Sequence, residues 1–156
     1  MSYEGRLGEL GITLPGPFAP HAPLVGCVRY DGTVRTSGAL PRDAEGTIAT
    51  PGILGGGVAT AAGVESARLA ALNALSLVRD AVGSLDVVRQ VLTMTVFVAC
   101  TADFGEIPDV ADGASRVLVD IFGDAGRHTR SAIGVASLPR HAPVEVELTV
   151  AVRESR

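Results

Sequence analysis

Three basic side chains stand close together near the end of the chain. Arg127 and His128 lie just before an apolar, strand-like segment, and Arg130 opens that segment, which runs to Leu138. A guanidinium group presents a fork that matches two carboxylate or phosphate oxygens and stays charged when desolvated. Together the three groups suit an anionic ligand with more than one carboxylate or phosphate. The alternative for His128 is a surface position in a loop.

Two carboxylates share one face of the last predicted strand, which covers residues 144–152. Its alternating apolar residues are Val144, Val146, Leu148, Val150 and Val152. Because successive strand residues point to opposite faces, these residues form a core face, and the other face carries Glu145 and Glu147. A strand this apolar is typical of the centre of a sheet. Charges placed where a sheet packs need a partner, which is either a ligand or another subunit.

The sequence also predicts the other strands of this sheet. Asp31-Gly32 is a typical two-residue hairpin turn, and it separates residues 24–30 from residues 33–38. The two runs are therefore predicted to form an antiparallel hairpin. Residues 87–100 are rich in β-branched residues and predict a buried strand.

Two helices are predicted from apolar residues at steps of three and four. The first covers residues 64–82 and ends near Gly83, and the second covers residues 107–122 and ends at Gly123. The order strand, strand, helix, strand, helix, strand, strand predicts an α+β domain with both helices on one sheet face. The uncovered face then calls for oligomerisation.

The rest of the chain is predicted to support a single domain over residues 1–156. Residues 1–23 form an N-terminal arm, with a short surface helix followed by a proline-rich extended stretch. Residues 41–63 form a glycine-rich loop. No Lys-Ser or Lys-Thr pair follows the glycines, so a mobile loop over a pocket is favoured over a phosphate-binding loop.

Composition limits the classes of partner. The apolar fraction of 47% suits an aliphatic core, and the formal charge of −4, without a Lys/Arg-rich patch, argues against broad nucleic-acid binding. Cys27 and Cys100 lie in apolar runs and are predicted to be buried free thiols. No ligand spacing predicts a metal site, and no leader or long apolar run directs the chain away from the cytoplasm.

Short motifs follow one another along the chain. They are Gly16-Pro17-Phe18, Thr36-Ser37-Gly38-Ala39-Leu40-Pro41, Leu72-Asn73-Ala74-Leu75, Thr95-Val96-Phe97-Val98, Asp103-Phe104, Arg130-Ser131, Leu138-Pro139 and Val144-Glu145-Val146-Glu147. In this order they resemble the RidA family, also called YjgF/YER057c/UK114. The segment 6–12, Gly113-Ala114-Ser115 and Gly126-Arg127-His128 resemble a divergent branch of it, the YjgF/chorismate-mutase-like putative endoribonucleases.

This resemblance implies both a fold and an assembly. The implied fold is that of RidA and of chorismate mutase, a mixed β-sheet with two helices on one face. Members of the family are homotrimers whose sheets pack into a central β-barrel and whose pockets lie between neighbouring subunits.

The resemblance also implies a chemistry that needs no cofactor. RidA proteins hydrolyse reactive imines or enamines to a 2-oxo acid and ammonia. An arginine at the position of Arg130 holds the substrate carboxylate, and a glutamate at the position of Glu145 is associated with the attacking water and suits a general base. Phe18, Ser37 and Gly38 fall at further substrate-binding positions. The alternative for Arg130 and Glu145 is an intersubunit ion pair without catalysis.

Three positions depart from the family pattern. Phe18 replaces a tyrosine, Pro108 an asparagine and Ala132 a cysteine, so three polar groups are missing from the implied pocket. Arg127 and His128 are candidates to compensate for them.

Three functions follow from these observations. The first is a RidA-like hydrolase, an imine or enamine deaminase acting on a carboxylate-bearing substrate in an intersubunit pocket. The second is a catalytically drifted trimer that binds a ligand or serves a biosynthetic pathway. The third is ribonuclease activity or translation inhibition, a label that the family carries and that the acidic charge disfavours.

Overall fold

The computed structural model describes residues 2–153. The helices are α1 (Tyr3–Glu9), α2 (Thr60–Val82) and α3 (Ile107–Phe122). The strands are β1 (Cys27–Tyr30), β2 (Thr33–Thr36), β3 (Ile53–Leu54), β4 (Gly57–Val58), β5 (Val88–Ala99), β6 (Thr129–Val135) and β7 (Val144–Val152). Within the described part of the chain, no helix is long and apolar enough to cross a membrane.

Five strands form one mixed sheet in the order β1-β2-β7-β5-β6. Strands β5 and β6 are parallel, and the other neighbours in this sheet are antiparallel. The β1–β2 turn is the predicted hairpin, and Asp31 and Gly32 both have positive φ values, of 48° and 72°, as a tight hairpin of matching twist needs. Strand β7 lies at the centre of the sheet, as its composition predicted.

Helices α2 and α3 pack together on one face of this sheet. The alternating apolar residues of β7 are all buried beneath them, whereas Glu145, Glu147 and Thr149 are only half-buried. The predicted α+β fold, with a mixed sheet and two helices on one face, is therefore confirmed. Cys27 and Cys100 form no disulfide and are half-buried, and burial raises the pKa of the Cys27 thiol to about 11.

The predicted loop over residues 41–63 is shorter and more structured than expected. Helix α2 begins at Thr60 instead of residue 64, so the end of that segment is helical. Its first turn, Thr60-Ala61-Ala62-Gly63, carries no large apolar residue to show the helical period. Gly63 packs directly beneath Leu54, because a Cβ added there would lie 2.7 Å from the Leu54 Cδ1 atom. Earlier in the segment, Arg42 pairs with Ile48 across an isolated bridge.

A single residue suits each end of helix α3. Pro108 lies in the first turn of α3, where a missing backbone N–H leaves no hydrogen bond unmade. Gly123 ends α3 with a φ of +60°, which glycine adopts without strain. The bounds of α3 agree with the helix predicted over residues 107–122.

Helices α2 and α3 approach each other closely at Gly113. A Cβ added to Gly113 would collide with the backbone carbonyl oxygen of Val64. Since backbone atoms cannot swing aside as a side chain can, only glycine allows this helix spacing.

We therefore expect Gly113→Ala to lower the free energy of unfolding by about 1–3 kcal/mol through overpacking. Gly8→Ala is the matched control, because Gly8 is also helical but a Cβ there meets nothing within 4 Å. It should be neutral or stabilise by up to about 1 kcal/mol. Urea denaturation of both variants measures the difference, and equal effects would refute the close-approach argument.

Candidate functional site

A cavity of about 450 Å³ opens beside the start of β7. Four of the predicted site residues line it, namely Phe18, Ser37, Gly38 and Glu145. Arg42 and Asn73 line it as well. The four come from distant motifs, and they meet because the chain beyond β2 runs on along β7. Ala39 and Val146 exchange two backbone hydrogen bonds, of 2.7 and 3.0 Å, which hold the two segments together.

Glu145 lies in this cavity against the backbone of Gly38. A Cβ added to Gly38 would be 2.7 Å from Glu145 Oε1, so glycine is what lets the carboxylate occupy this place. Burial raises the pKa of Glu145, and the nearby charge of Glu147 raises it further. A half-buried carboxyl group with a raised pKa, beside a solvent-connected cavity, is suited to act as a general base.

Ser37 and Phe18 line the cavity, and each makes a contact within the chain. The Ser37 hydroxyl donates to the carbonyl of Val25 at 2.6 Å, so its proton is already engaged. Phe18 presents its ring to the guanidinium group of Arg42, whose carbon lies 5.8 Å from the ring centroid. This is within the range of a cation–π contact.

Arg130 belongs to a second cluster, against helix α3. Its Nη1 atom donates to Asp112 Oδ1 at 2.9 Å and to Ser115 Oγ at 3.0 Å. Ser115 Oγ also lies 3.0 Å from His128 Nε2, and His128 Nδ1 lies 2.6 Å from the carbonyl oxygen of Gly126.

The hydrogen bonds of this cluster fix the direction of each proton. A carbonyl oxygen can only accept, so His128 Nδ1 donates to Gly126 and, in the neutral ring, Nε2 accepts. The Ser115 hydroxyl therefore donates to His128 and accepts from Arg130. His128 thus has a defined, half-buried position instead of a loose surface one. Through Ser115 it helps to orient the guanidinium group of Arg130.

Arg130 and Glu145 point to opposite faces of the sheet. Arg130 is in register with Met94, whose side chain is fully buried on the helix-covered side. Glu145 is in register with Phe97, which faces the other way. Within one copy of the chain, the two residues therefore do not meet.

Arg127 also stands apart from Arg130. Its Nε atom lies 3.2 Å from Asp124 Oδ1, and both side chains are exposed. Of the three basic residues, His128 and Arg130 are therefore linked through Ser115, whereas Arg127 forms a separate ion pair with Asp124 at the surface. Among the described residues, no three His, Cys, Asp or Glu side chains group as a metal ion would require.

Sequence reasoning missed Asp112 and Arg42. Asp112 and Ser115 stand three residues apart on α3, which places them on one helix face, but nothing local shows that this face meets Arg130. Arg42 directly follows the motif that ends at Pro41, yet its place in the Glu145 cavity depends on how residues 41–63 fold.

Comparison with known proteins agrees with this architecture. Residues 4–150 match the model of the family described as YjgF/chorismate mutase-like, putative endoribonuclease. The chain belongs to this family. The resemblance read from the sequence motifs is confirmed, and solved YjgF/RidA proteins are among the structural neighbours.

Individual relatives of this YjgF-family chain cover nearly its whole length. Protein TCP17 of Trypanosoma cruzi is 40% identical over 146 residues, which are 93% of this chain and 91% of that protein. A structure described as a putative endoribonuclease from Shewanella oneidensis has a TM-score of 0.93 at 29% identity, covering 97% of this chain and 100% of that one. The structure of Escherichia coli TdcF with bound serine has a TM-score of 0.61 at 26% identity, covering 90% and 98%.

The raised pKa of Glu145 predicts a pH-dependent stability. A carboxyl group whose pKa is higher in the folded chain than in the unfolded chain binds more protons when the chain is folded. The folded protein therefore loses stability as the pH rises from the pKa of the group in the unfolded chain to its pKa in the folded chain. Glu145→Gln removes this titration. We expect the melting temperature of the variant, relative to the wild type, to increase as pH rises from about 4, near the ordinary glutamate pKa, to about 7. A difference that stays constant or decreases would contradict the burial of this carboxyl group.

Proposed function

We propose that this protein is a small-molecule hydrolase that converts a carboxylate-bearing imine or enamine to a 2-oxo acid and ammonia. Membership of the YjgF/RidA family supports a small-molecule-binding or hydrolase-type function. The more specific proposal, hydrolysis of an imine or enamine, rests on the placement of Glu145, with its raised pKa, in the 450 Å³ cavity. A base that titrates closer to neutral pH than an ordinary glutamate is better matched to activating water.

The proposed reaction uses Glu145 on the attacking water. Glu145 takes a proton from water as the water oxygen bonds to the imine carbon, and it passes this proton to the nitrogen, which gives a tetrahedral carbinolamine. Glu145 then takes the proton of the new hydroxyl group and passes it to the nitrogen as the C–N bond breaks. The hydroxyl oxygen becomes the carbonyl of the 2-oxo acid, and ammonia leaves. Because only the ionised carboxylate accepts a proton, the rate should rise with pH through the raised pKa of Glu145.

The substrate carboxylate is assigned to Arg130 of a neighbouring copy. Arg130 and Glu145 face opposite ways within one chain, so a ligand that touches both must lie between two chains. The face opposite the helices exposes Val28 and Ile133, at 58% and 45% of their surface, which favours covering by further copies. We propose the homotrimer with a central barrel that the family implies.

A second candidate is a trimer that binds a ligand without catalysis. The charge of Arg130 is already matched by Asp112 at 2.9 Å, which weakens its pull on a substrate carboxylate. Phe18 and Ala132 also leave the implied pocket without two of the polar groups of typical RidA proteins.

The deciding measurement is release of ammonia and 2-oxo acid from freshly generated 2-aminoacrylate and longer imines. We expect the wild type to exceed the uncatalysed background and Glu145→Gln to lower the rate by about 10²–10⁴-fold, the usual contribution of a general base. Arg130→Ala should raise KM most, because it removes a binding group. Glu65→Gln and Arg29→Ala, both exposed and outside the cavity, are the matched controls.

Light scattering on the same variants separates catalysis from assembly. An Arg130→Ala variant that stays trimeric but loses turnover supports the substrate-binding role. Loss of the trimer together with turnover would show that Arg130 acts in assembly. A wild type no faster than background with every imine would reject the deaminase and favour the binding protein.

A further inference from the structure

Arg42 is a cation in the Glu145 cavity, and it has no anionic partner in the part of the chain that the structure describes. None of the ion pairs formed within residues 2–153 includes it. Its Nη1 atom donates to the carbonyl of Gly46 at 2.8 Å, and its guanidinium group faces the ring of Phe18. Since a guanidinium group carries five N–H donors, most of its capacity for hydrogen bonding stays open.

The backbone around Arg42 is held firmly, so the side chain has a fixed origin. Its amide donates to the carbonyl of Leu40 at 2.9 Å, and its carbonyl accepts from Asn73 Nδ2 at the same distance. Asn73 is a buried residue of α2, which ties Arg42 to the helical layer. A group held in place before a ligand arrives loses less entropy when it binds one.

The surroundings of Arg42 favour an anion. Burial lowers the pKa of Arg42, and the nearby charge of Arg140 lowers it further. Two positive charges close together repel each other, and a bound carboxylate would relieve this repulsion. Among the described residues, Glu145 is the only one whose carboxylate lines the cavity, and it forms no ion pair with Arg42.

Arg130 differs from Arg42 in this respect. Arg130 is matched by Asp112, while Arg42 has a polar cavity in front of it and no counter-charge among the described residues. The cavity volume of about 450 Å³ lies within the range of sites for small molecules. Arg42 and Glu145 therefore leave room between them for a small ligand whose anionic end reaches Arg42.

We propose that Arg42 is a carboxylate-binding residue that selects a ligand with two carboxylates. Arg42 binds the distal carboxylate, and Arg130 of a neighbouring copy binds the carboxylate next to the reacting carbon, which lies near Glu145. This inference rests on the proposed function, and it adds the substrate class, a dicarboxylic imino or 2-oxo acid, and the residue that determines it.

Binding of the product-type acids 2-oxoglutarate and 2-oxobutanoate tests this proposal without any turnover. They share a 2-oxo acid group, and only the first carries a distal carboxylate. By titration calorimetry we expect 2-oxoglutarate to bind the wild type about 10- to 100-fold more tightly, as a charge-assisted hydrogen-bonded pair allows. Arg42→Gln should remove this preference and leave 2-oxobutanoate within about 3-fold of its wild-type affinity.

Two further variants separate the role of the Arg42 side chain from effects of folding and of net charge. Arg42→Lys keeps the charge but loses the fork, so it should retain part of the preference even if Arg42→Gln folds poorly. Arg29→Gln makes the same change in net charge at an exposed position outside the cavity and should keep the whole preference. Loss of the preference in Arg29→Gln would show that net charge, and not Arg42, selects the ligand.

Several outcomes would overturn the proposal. The wild type could bind the two acids equally. The Arg42→Gln variant could keep the preference for 2-oxoglutarate, or it could lose affinity for both acids alike. Failure of the proposed function has a different signature. In that case the wild type releases no ammonia from any imine, while the preference for 2-oxoglutarate and its dependence on Arg42 persist.

Discussion

The central strand β7 is the element on which both the core and the site depend. Its two-residue period sends Val144, Val146 and the later apolar residues beneath the helices, and sends Glu145 and Glu147 to the other face. A shift of register by one residue would bury the carboxylates in the apolar core, where an unpaired charge costs several kcal/mol. The core therefore fixes which residue faces the cavity.

Burial on the face opposite the helices is partial, and this partial burial raises the pKa of Glu145. A fully exposed carboxylate would keep its ordinary pKa, and a fully buried one would stay protonated or need a paired cation. Gly38 lets the neighbouring backbone approach closely enough to remove part of the water around Glu145, while the cavity leaves the rest. The position of one glycine thus adjusts the strength of the proposed base.

The sequence predicts the elements of this protein better than it predicts their contacts. The full span of α3, the β1–β2 hairpin and the strand β7 follow from local rules of period, turn chemistry and capping. The first turn of α2 escaped prediction because its residues are too small to show a period. The residues around Arg130 and Arg42 depend on contacts between segments far apart in the chain, and no local pattern encodes these.

The two arginines show how the same side chain can serve different purposes in one fold. Arg130 is locked by Asp112, Ser115 and, through Ser115, His128, so its direction is fixed while its charge is largely matched. Arg42 has its backbone fixed, and no anion within residues 2–153 matches its charge. In the proposed complex, a dianion bound between Arg42 and Arg130 of a neighbouring copy would bring negative charge toward Glu145 and raise the pKa of that carboxyl group, while the two arginines would lower it. The arginines would thus offset part of the rise in pKa that the ligand's own charge causes.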